Sequence, residues 1–255
     1  MTQFGYKTNK TGFHLGSRFE YYEDFYISPN LTTYYETLKT ASSASANLRK
    51  QKGNYFDTDF DYFIDYDKRN QKFQTTEGFR GRFNQSIPII SETNSLINGF
   101  EFNSYHQLLD GMIGSINFYS KAINSISGDD VRISERLYMP TRKLRGFERG
   151  KIGPVDNNDY VGGNYVTSIN IAATLPNVVP SIQNADFSVF FDAGNVWGVD
   201  YSSAVDESNQ VRSSVGVAID WYTVIGPLSF SYAGALSKAS TDKEESFRFN
   251  IGTTF

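Results

Sequence analysis

The chain has 255 residues, with 24 basic and 28 acidic side chains and a formal net charge of −4. This mildly acidic balance implies no polyanion-binding surface, so we expect no nucleic-acid partner. Cysteine is absent, which excludes disulfides and thiolate metal sites.

Alternation of apolar and polar residues recurs along the chain and predicts about eleven β-strands. They are expected near residues 11–22, 31–40, 54–67, 76–90, 96–109, 111–124, 161–175, 185–197, 210–223, 227–237 and 245–255. Residues 41–54 are expected to form an exposed loop, with a short surface helix as the alternative. No stretch shows a convincing helical period, and no apolar run is long enough for a transmembrane helix.

The two faces of these strands differ sharply in residue type. In 55–66, for example, Phe56, Phe60 and Ile64 share one face, while Asp57 and Asp61 lie on the other. A soluble β-sandwich also alternates, but it would need a second core, and none is visible. Strands of about ten residues with aromatic ends match the bilayer, where a closed barrel satisfies all backbone groups. The sequence therefore predicts an all-β, antiparallel transmembrane barrel.

Residues that could carry catalysis are few. His14 and His106 lie in separate predicted strands, and His14 falls on a polar face, where we expect it to line the lumen. The alternating Asp residues of 55–66 lack the turn glycine and spacing of a calcium loop. We therefore expect no enzyme activity, no cofactor and no metal site.

One charged, glycine-rich segment interrupts the strands, "RKLRGFERGKIGPVDNNDYVGG" at 142–163. "KLRGFERGKIGP" within it, with the later "FFDAGNVWG" (190–198), "GPLSFSYA" (226–233) and "ESFRFNIGTTF" (245–255), resembles the bacterial surface antigen family. This family comprises the BamA-like outer-membrane assembly factors. The motifs follow in the family's order and spacing over 131–255. The similarity over roughly 10–130 is weaker but colinear.

The resemblance implies that the segment at about 139–160 folds back into the barrel lumen. Arg145 is then expected to meet Asp192 on the inner wall, while Gly146 allows a tight backbone path and Phe147 packs against the wall. Alternation agrees about the wall: Phe187, Val189 and Phe191 are expected to face lipid, so Asp192 is expected to face inwards.

The sequence departs from the family at one position. Relatives often carry a Glu on the strand that follows the lumen loop, as a second partner for this arginine, but the corresponding residue here is Ala172. The pairing is therefore expected to rest on Asp192 alone or to be shared with another acid such as Asp220.

The last predicted strand resembles the β-signal with which outer-membrane barrels end. Its apolar face carries Phe247, Phe249, Ile251 and Phe255. Strand pairing with an assembly machinery is the expected role of this segment. The β-signal is less specific than the lumen-loop motif, because unrelated porins share it.

Relatives in this family have about 16 strands preceded by periplasmic POTRA domains. We therefore expect residues 1–255 to be the C-terminal part of a barrel, lacking the POTRA domains and first strands. The expected function is folding and insertion of other barrel proteins in the bacterial outer membrane. The alternatives are a translocation pore of the same superfamily, for autotransporter assembly or two-partner secretion, and a passive porin. Expected partners are outer-membrane lipids, unfolded client proteins, and periplasmic and lipoprotein factors reached through the missing region.

Overall fold

The computed structural model describes residues 5–175, 178, 184–201, 209–223 and 226–251. Most of them form one large antiparallel sheet of twelve strands. Its strands are β1 (Tyr6–Gly16), β2 (Phe19–Tyr22), β3 (Phe25–Thr40), β4 (Gly53–Asp67), β5 (Gly78–Ile90), β6 (Ser95–Leu109), β7 (Met112–Ser125), β11 (Tyr165–Leu175), β12 (Ala185–Trp197), β13 (Arg212–Thr223), β14 (Gly226–Ser237) and β16 (Phe247–Ile251).

Two small sheets lie outside this one. They pair β8 (Gly146–Phe147) with β15 (Glu244–Glu245), and β9 (Val155–Asp156) with β10 (Asp159–Tyr160). The α-helix α1 (Ala46–Lys50) begins after Ser45, whose hydroxyl accepts a hydrogen bond from the Leu48 amide. No helix in the described part of the chain is long and apolar enough to cross a membrane.

The large sheet is an up-and-down arrangement. Its strand order is β1-β3-β4-β5-β6-β7-β11-β12-β13-β14-β16, with β2 beside β3. Each strand pairs antiparallel with the next, so the sheet has two ends. We call the end with connections 41–52, 91–94, 126–164, 198–211 and 238–246 the loop end, and the other the turn end. Among the described strands, β1 and β16 are the edges, and they do not pair with each other.

The two faces of the sheet confirm the predicted barrel wall. Large apolar side chains are exposed on the outward face, among them Phe13, Leu31, Phe60, Phe100, Ile116, Ile171, Val189, Phe191, Val217 and Leu236. The inward face holds buried polar groups, including Glu36, Asp57, Asp65, Asp192 and Arg212. An apolar exterior around a polar interior is the arrangement of a membrane barrel. The sheet is thus part of a transmembrane β-barrel.

Several boundaries differ from the sequence-based predictions. The strands predicted at 31–40 and 161–175 begin at Phe25 and Tyr165. The strand predicted at 11–22 begins at Tyr6 and is interrupted at 17–18, and β2 then continues it along β3 in the same register. Alternation continues across such a break, so the sequence pattern did not reveal it. The exposed loop predicted at 41–54 contains the short helix α1, the alternative expectation, but the segment is not exposed throughout, because Ala44, Ser45 and Leu48 are buried.

Candidate functional site

The connection between β7 and β11, residues 126–164, lies against the inward face of the sheet; we call it the lumen segment. Its buried apolar residues are Val131, Ile133, Leu137, Met139, Leu144, Phe147, Ile152, Tyr160 and Val161. Several of them form one apolar cluster with Ile123, Val166 and Val196 of the wall. Burial thus begins near residue 131, earlier than the predicted start at 139. The lumen segment is therefore held against the wall by burial of its apolar side chains, as a core element would be.

Arg145 and Asp192 lie together inside the sheet. The Arg145 Nε and Nη2 atoms are each 2.7 Å from one oxygen of Asp192, and the Arg145 amide donates to the same carboxylate at 3.0 Å. Asp192 is fully buried, while about a fifth of the Arg145 side chain (19%) remains exposed. The guanidinium also lies on the Phe190 ring, 3.2 Å from its centroid. The planar fork of arginine makes this two-point contact possible, and lysine would make only one.

Gly146 and Phe147 follow the arginine in a tight passage. Gly146 has φ +88°, and an added Cβ would lie 3.2 Å from Ser214 Cβ and 3.3 Å from Ala233 Cβ. The Ser214 hydroxyl donates to the Arg145 carbonyl at 2.6 Å. Phe147 is buried in the apolar cluster. The backbone therefore runs so close to β13 and β14 that only glycine fits without displacement.

Ala172, which stands where relatives often carry a second acid, has apolar surroundings. Ala172 pairs across the sheet with Phe190 and packs against the cluster of Phe190, Ala218 and Ala233. Asp220 lines the same cavity as Arg145, but within the described residues the ion pair of Arg145 is with Asp192.

A second arginine of the lumen segment, Arg132, was not identified from the sequence. Its guanidinium is fully buried and lies 2.7–3.0 Å from oxygens of Glu36 and Asp57. Thr93 Oγ1 accepts from Nη2 at 2.6 Å, and the Tyr55 ring lies 4.0 Å from the guanidinium carbon. Alternation had placed Asp57 on the inward face, but nothing local in "VRISERL" marks Arg132 as its partner.

Glu135 is a buried acid beside this cluster. One of its carboxylate oxygens has no hydrogen-bond partner among the described residues, and the other lies 3.7 Å from Arg132. Burial raises the pKa of Glu135 from 4.5 to about 7, although the positive charge of Arg132 acts in the opposite direction. The pKa of Glu135 therefore lies close to neutral pH.

Two further arginines tie the connection 238–246 and the last strand to the interior. Arg212 of β13 is fully buried and contacts both Asp242 oxygens, at 2.9 and 3.0 Å. Arg248 of β16 donates to the carbonyls of Thr141 at 2.9 Å and Phe147 at 2.7 Å. With the pairing of β8 and β15, these contacts join the lumen segment directly to the terminal strand.

The β-signal residues face outwards where they are described. Phe247, Phe249 and Ile251 are exposed on β16, and Phe249 stacks on Phe230 of β14 with ring centroids 4.8 Å apart. Phe255 lies outside the described residues. Of the two histidines, His14 is on the inward face of β1 and His106 is on β6, with three strands of the sheet between them.

The described residues contain no group of three or more His, Cys, Asp and Glu side chains that could hold a metal ion. The ion pairs of Arg132, Arg145 and Arg212 instead each join a connection at the loop end to the wall. This arrangement can fix the position of the lumen segment and of the last strand.

Comparison with known proteins agrees with this architecture. The model of the Omp85 superfamily domain matches residues 2–255. The outer membrane protein assembly factor BamA of Neorickettsia risticii is 25% identical over 217 residues, which are 83% of this chain and 29% of that protein.

Two solved structures show the same fold. BamA from Haemophilus ducreyi lacking POTRA domains 1–3 has a TM-score of 0.84 at 23% identity, covering 96% of this chain and 54% of that one. CdiB from Acinetobacter baumannii has a TM-score of 0.62 at 12% identity and covers 96% and 42% of the respective chains. This chain therefore spans only part of the length of the proteins that it resembles.

Proposed function

The chain belongs to the Omp85 superfamily, and from this membership we propose that it supplies the barrel wall and lumen segment of an outer-membrane assembly factor. The whole protein would fold other β-barrel proteins and insert them into the bacterial outer membrane. The observation that carries this proposal is the lumen segment itself, held to the wall by Arg145 and Asp192 and hydrogen-bonded to the last strand through Arg248.

The geometry of the site supports a positioning role rather than a catalytic one. The lumen segment reaches β3 and β4 through Arg132 and reaches β12 through Arg145, so it bridges well-separated strands of one sheet. A cross-link of this kind resists flattening of the wall. The curved wall then holds the terminal strand β16 in a fixed place beside β14.

An unpaired strand edge can bind another strand through backbone hydrogen bonds. Unfolded outer-membrane proteins are therefore the proposed clients, and the surrounding lipids are the second partner. Periplasmic and lipoprotein factors would act through regions of the whole protein outside this chain. The chemistry needs no cofactor, because strand pairing and burial in the bilayer supply the free energy of insertion.

Depletion of the full-length protein in its native host tests this function. Unrelated barrel proteins should then fall in the outer membrane and accumulate unfolded, as measured by their heat-modifiable mobility in gels. Complementation with wild type should restore them, and a Phe255 deletion should restore them less well. Loss of one exported protein with unrelated barrels unchanged would indicate a translocation pore instead. No change in either would indicate a passive porin.

A further inference from the structure

The outward face of β1 and β3 changes character towards the loop end. On β1, Leu15 and Phe13 are followed by Thr11, Asn9 and Lys7; on β3, Leu31 and Tyr35 are followed by Thr37 and Lys39. These residues face outwards because the alternate residues, Thr8 and Lys10, contact the buried Glu36 on the inside. The exterior thus changes from apolar to hydroxyl and amide groups and then to ammonium groups.

The two lysines oppose each other. Lys7 pairs directly with Lys39 in the register of β1 and β3, and both are exposed. Like charges at directly opposed positions destabilise a strand pair. Neither lysine has a carboxylate within 4 Å among the described residues. They line, with Thr8, Asn9 and Thr37, an open groove of about 400 Å³.

The neighbouring connection adds to this positive charge. Residues 37–56 contain Lys39, Arg49, Lys50 and Lys52 and no acidic residue, in a chain whose net charge is −4. At the loop end of β5 and β14, the outward positions Ile90 and Leu236 are apolar instead. The positive charge is therefore a local feature of the exterior around β1 and β3.

We propose that Lys7 and Lys39 form a binding site for phosphate groups carried by lipid headgroups of the outer leaflet. Outer-membrane barrels place their longer connections outside the cell, which puts the loop end at the outer leaflet. The change from Phe13 and Tyr35 to Lys7 and Lys39 marks the depth at which acyl chains give way to headgroups. A phosphate between the two ammonium groups removes their repulsion, and Asn9 and Thr37 add hydrogen-bonding groups beside it.

The site can be tested on the full-length protein in detergent micelles. The probes are a diphosphorylated lipid A and its dephosphorylated form with the same acyl chains, and retention is measured by native mass spectrometry. Wild type should retain the phosphorylated lipid about tenfold more strongly. The double variant K7Q/K39Q should lose this preference. K72Q makes the same type of charge change in the connection at the turn end and should keep the preference.

A second variant separates lipid binding from folding. Lys39→Glu places opposite charges across the strand pair, so the barrel should remain at least as heat-stable as wild type while the preference for phosphorylated lipid disappears. Equal retention of both lipids by wild type would overturn the proposal, because the acyl chains alone would then explain binding. Equal weakening by K72Q would also overturn it, since net charge rather than this groove would be responsible.

Discussion

Arg132 and Arg145 attach two parts of the lumen segment to opposite halves of the sheet, and their surroundings differ. Arg132 is fully buried between two acids on β3 and β4, whereas Arg145 meets one acid on β12 and keeps about a fifth of its side chain exposed (19%). The Phe190 ring packs on the Arg145 guanidinium, and Gly146 lets the backbone come close to the wall. The first contact is a buried charge cluster, and the second is a close fit of backbone and side chain.

The difference matters because the two contacts should fail in different ways. Removing Arg132 leaves Asp57 without a counter-charge among the described residues, and leaves Glu36 with only Lys10, 3.5 Å away. Removing Arg145 also leaves a buried acid, Asp192, but Arg145 is partly exposed, so water can enter the space that it leaves. Arg132 should therefore determine whether the lumen segment docks at all. Arg145 should determine how accurately the segment is placed against β12 to β16.

The largest effect is expected from Arg132→Met in the full-length protein. Asp57 would stay buried without a counter-charge among the described residues and Glu36 would keep only Lys10, which costs about 3–5 kcal/mol. The measurement is the urea midpoint of the barrel in vesicles, read by heat-modifiable mobility. The triple variant R132M/E36Q/D57N removes all three charges and should recover most of the lost stability. A triple variant as unstable as R132M would show that packing, and not charge, sets the cost.

Arg145 and Asp192 should show a smaller, mutually dependent effect. Each single alanine variant should lower the free energy of unfolding, and a double-mutant cycle should give a coupling of about 2 kcal/mol. Arg145→Lys should recover less than half of the coupling, because an ammonium group cannot contact both Asp192 oxygens as the guanidinium does. Additive single effects would contradict a direct pair.

These two contacts also show what the sequence could predict. Alternation placed Asp192 and Asp57 on the inward face, and the motif around Arg145 identified its partner through family resemblance. Arg132 escaped because its partners lie 96 and 75 positions away, on strands whose approach depends on the curvature of the whole sheet. The interruption at 17–18 escaped because β2 resumes in the register of β1 along β3, so the alternation continues across it.

Gly146→Ala tests the close fit separately from the charge contact, because it adds a methyl group and changes no charged group. The substituted residue would need φ near +88° and would press its Cβ against Ser214 and Ala233. We expect a loss of about 2 kcal/mol, measured by the same urea titration. Gly128→Ala is a matched control, because Gly128 also has positive φ but an added Cβ there would meet nothing within 4 Å. The excess of the Gly146 effect over this control measures the close approach to the wall.

The last effect is spread over a range of pH, so it is the smallest at any single step of the measurement, and it concerns the Arg132 contact. The pKa of Glu135 is raised to about 7 in the folded protein from 4.5, so its contribution to stability is complete below pH 4.5 and is lost as pH rises through 7. One proton limits the slope to about 1.4 kcal/mol per pH unit within this window. Glu135→Gln keeps the shape and cannot ionise, so the difference in urea midpoint between this variant and wild type should grow from pH 5 to pH 7 and then level off. A constant difference across that range would mean that Glu135 does not titrate there.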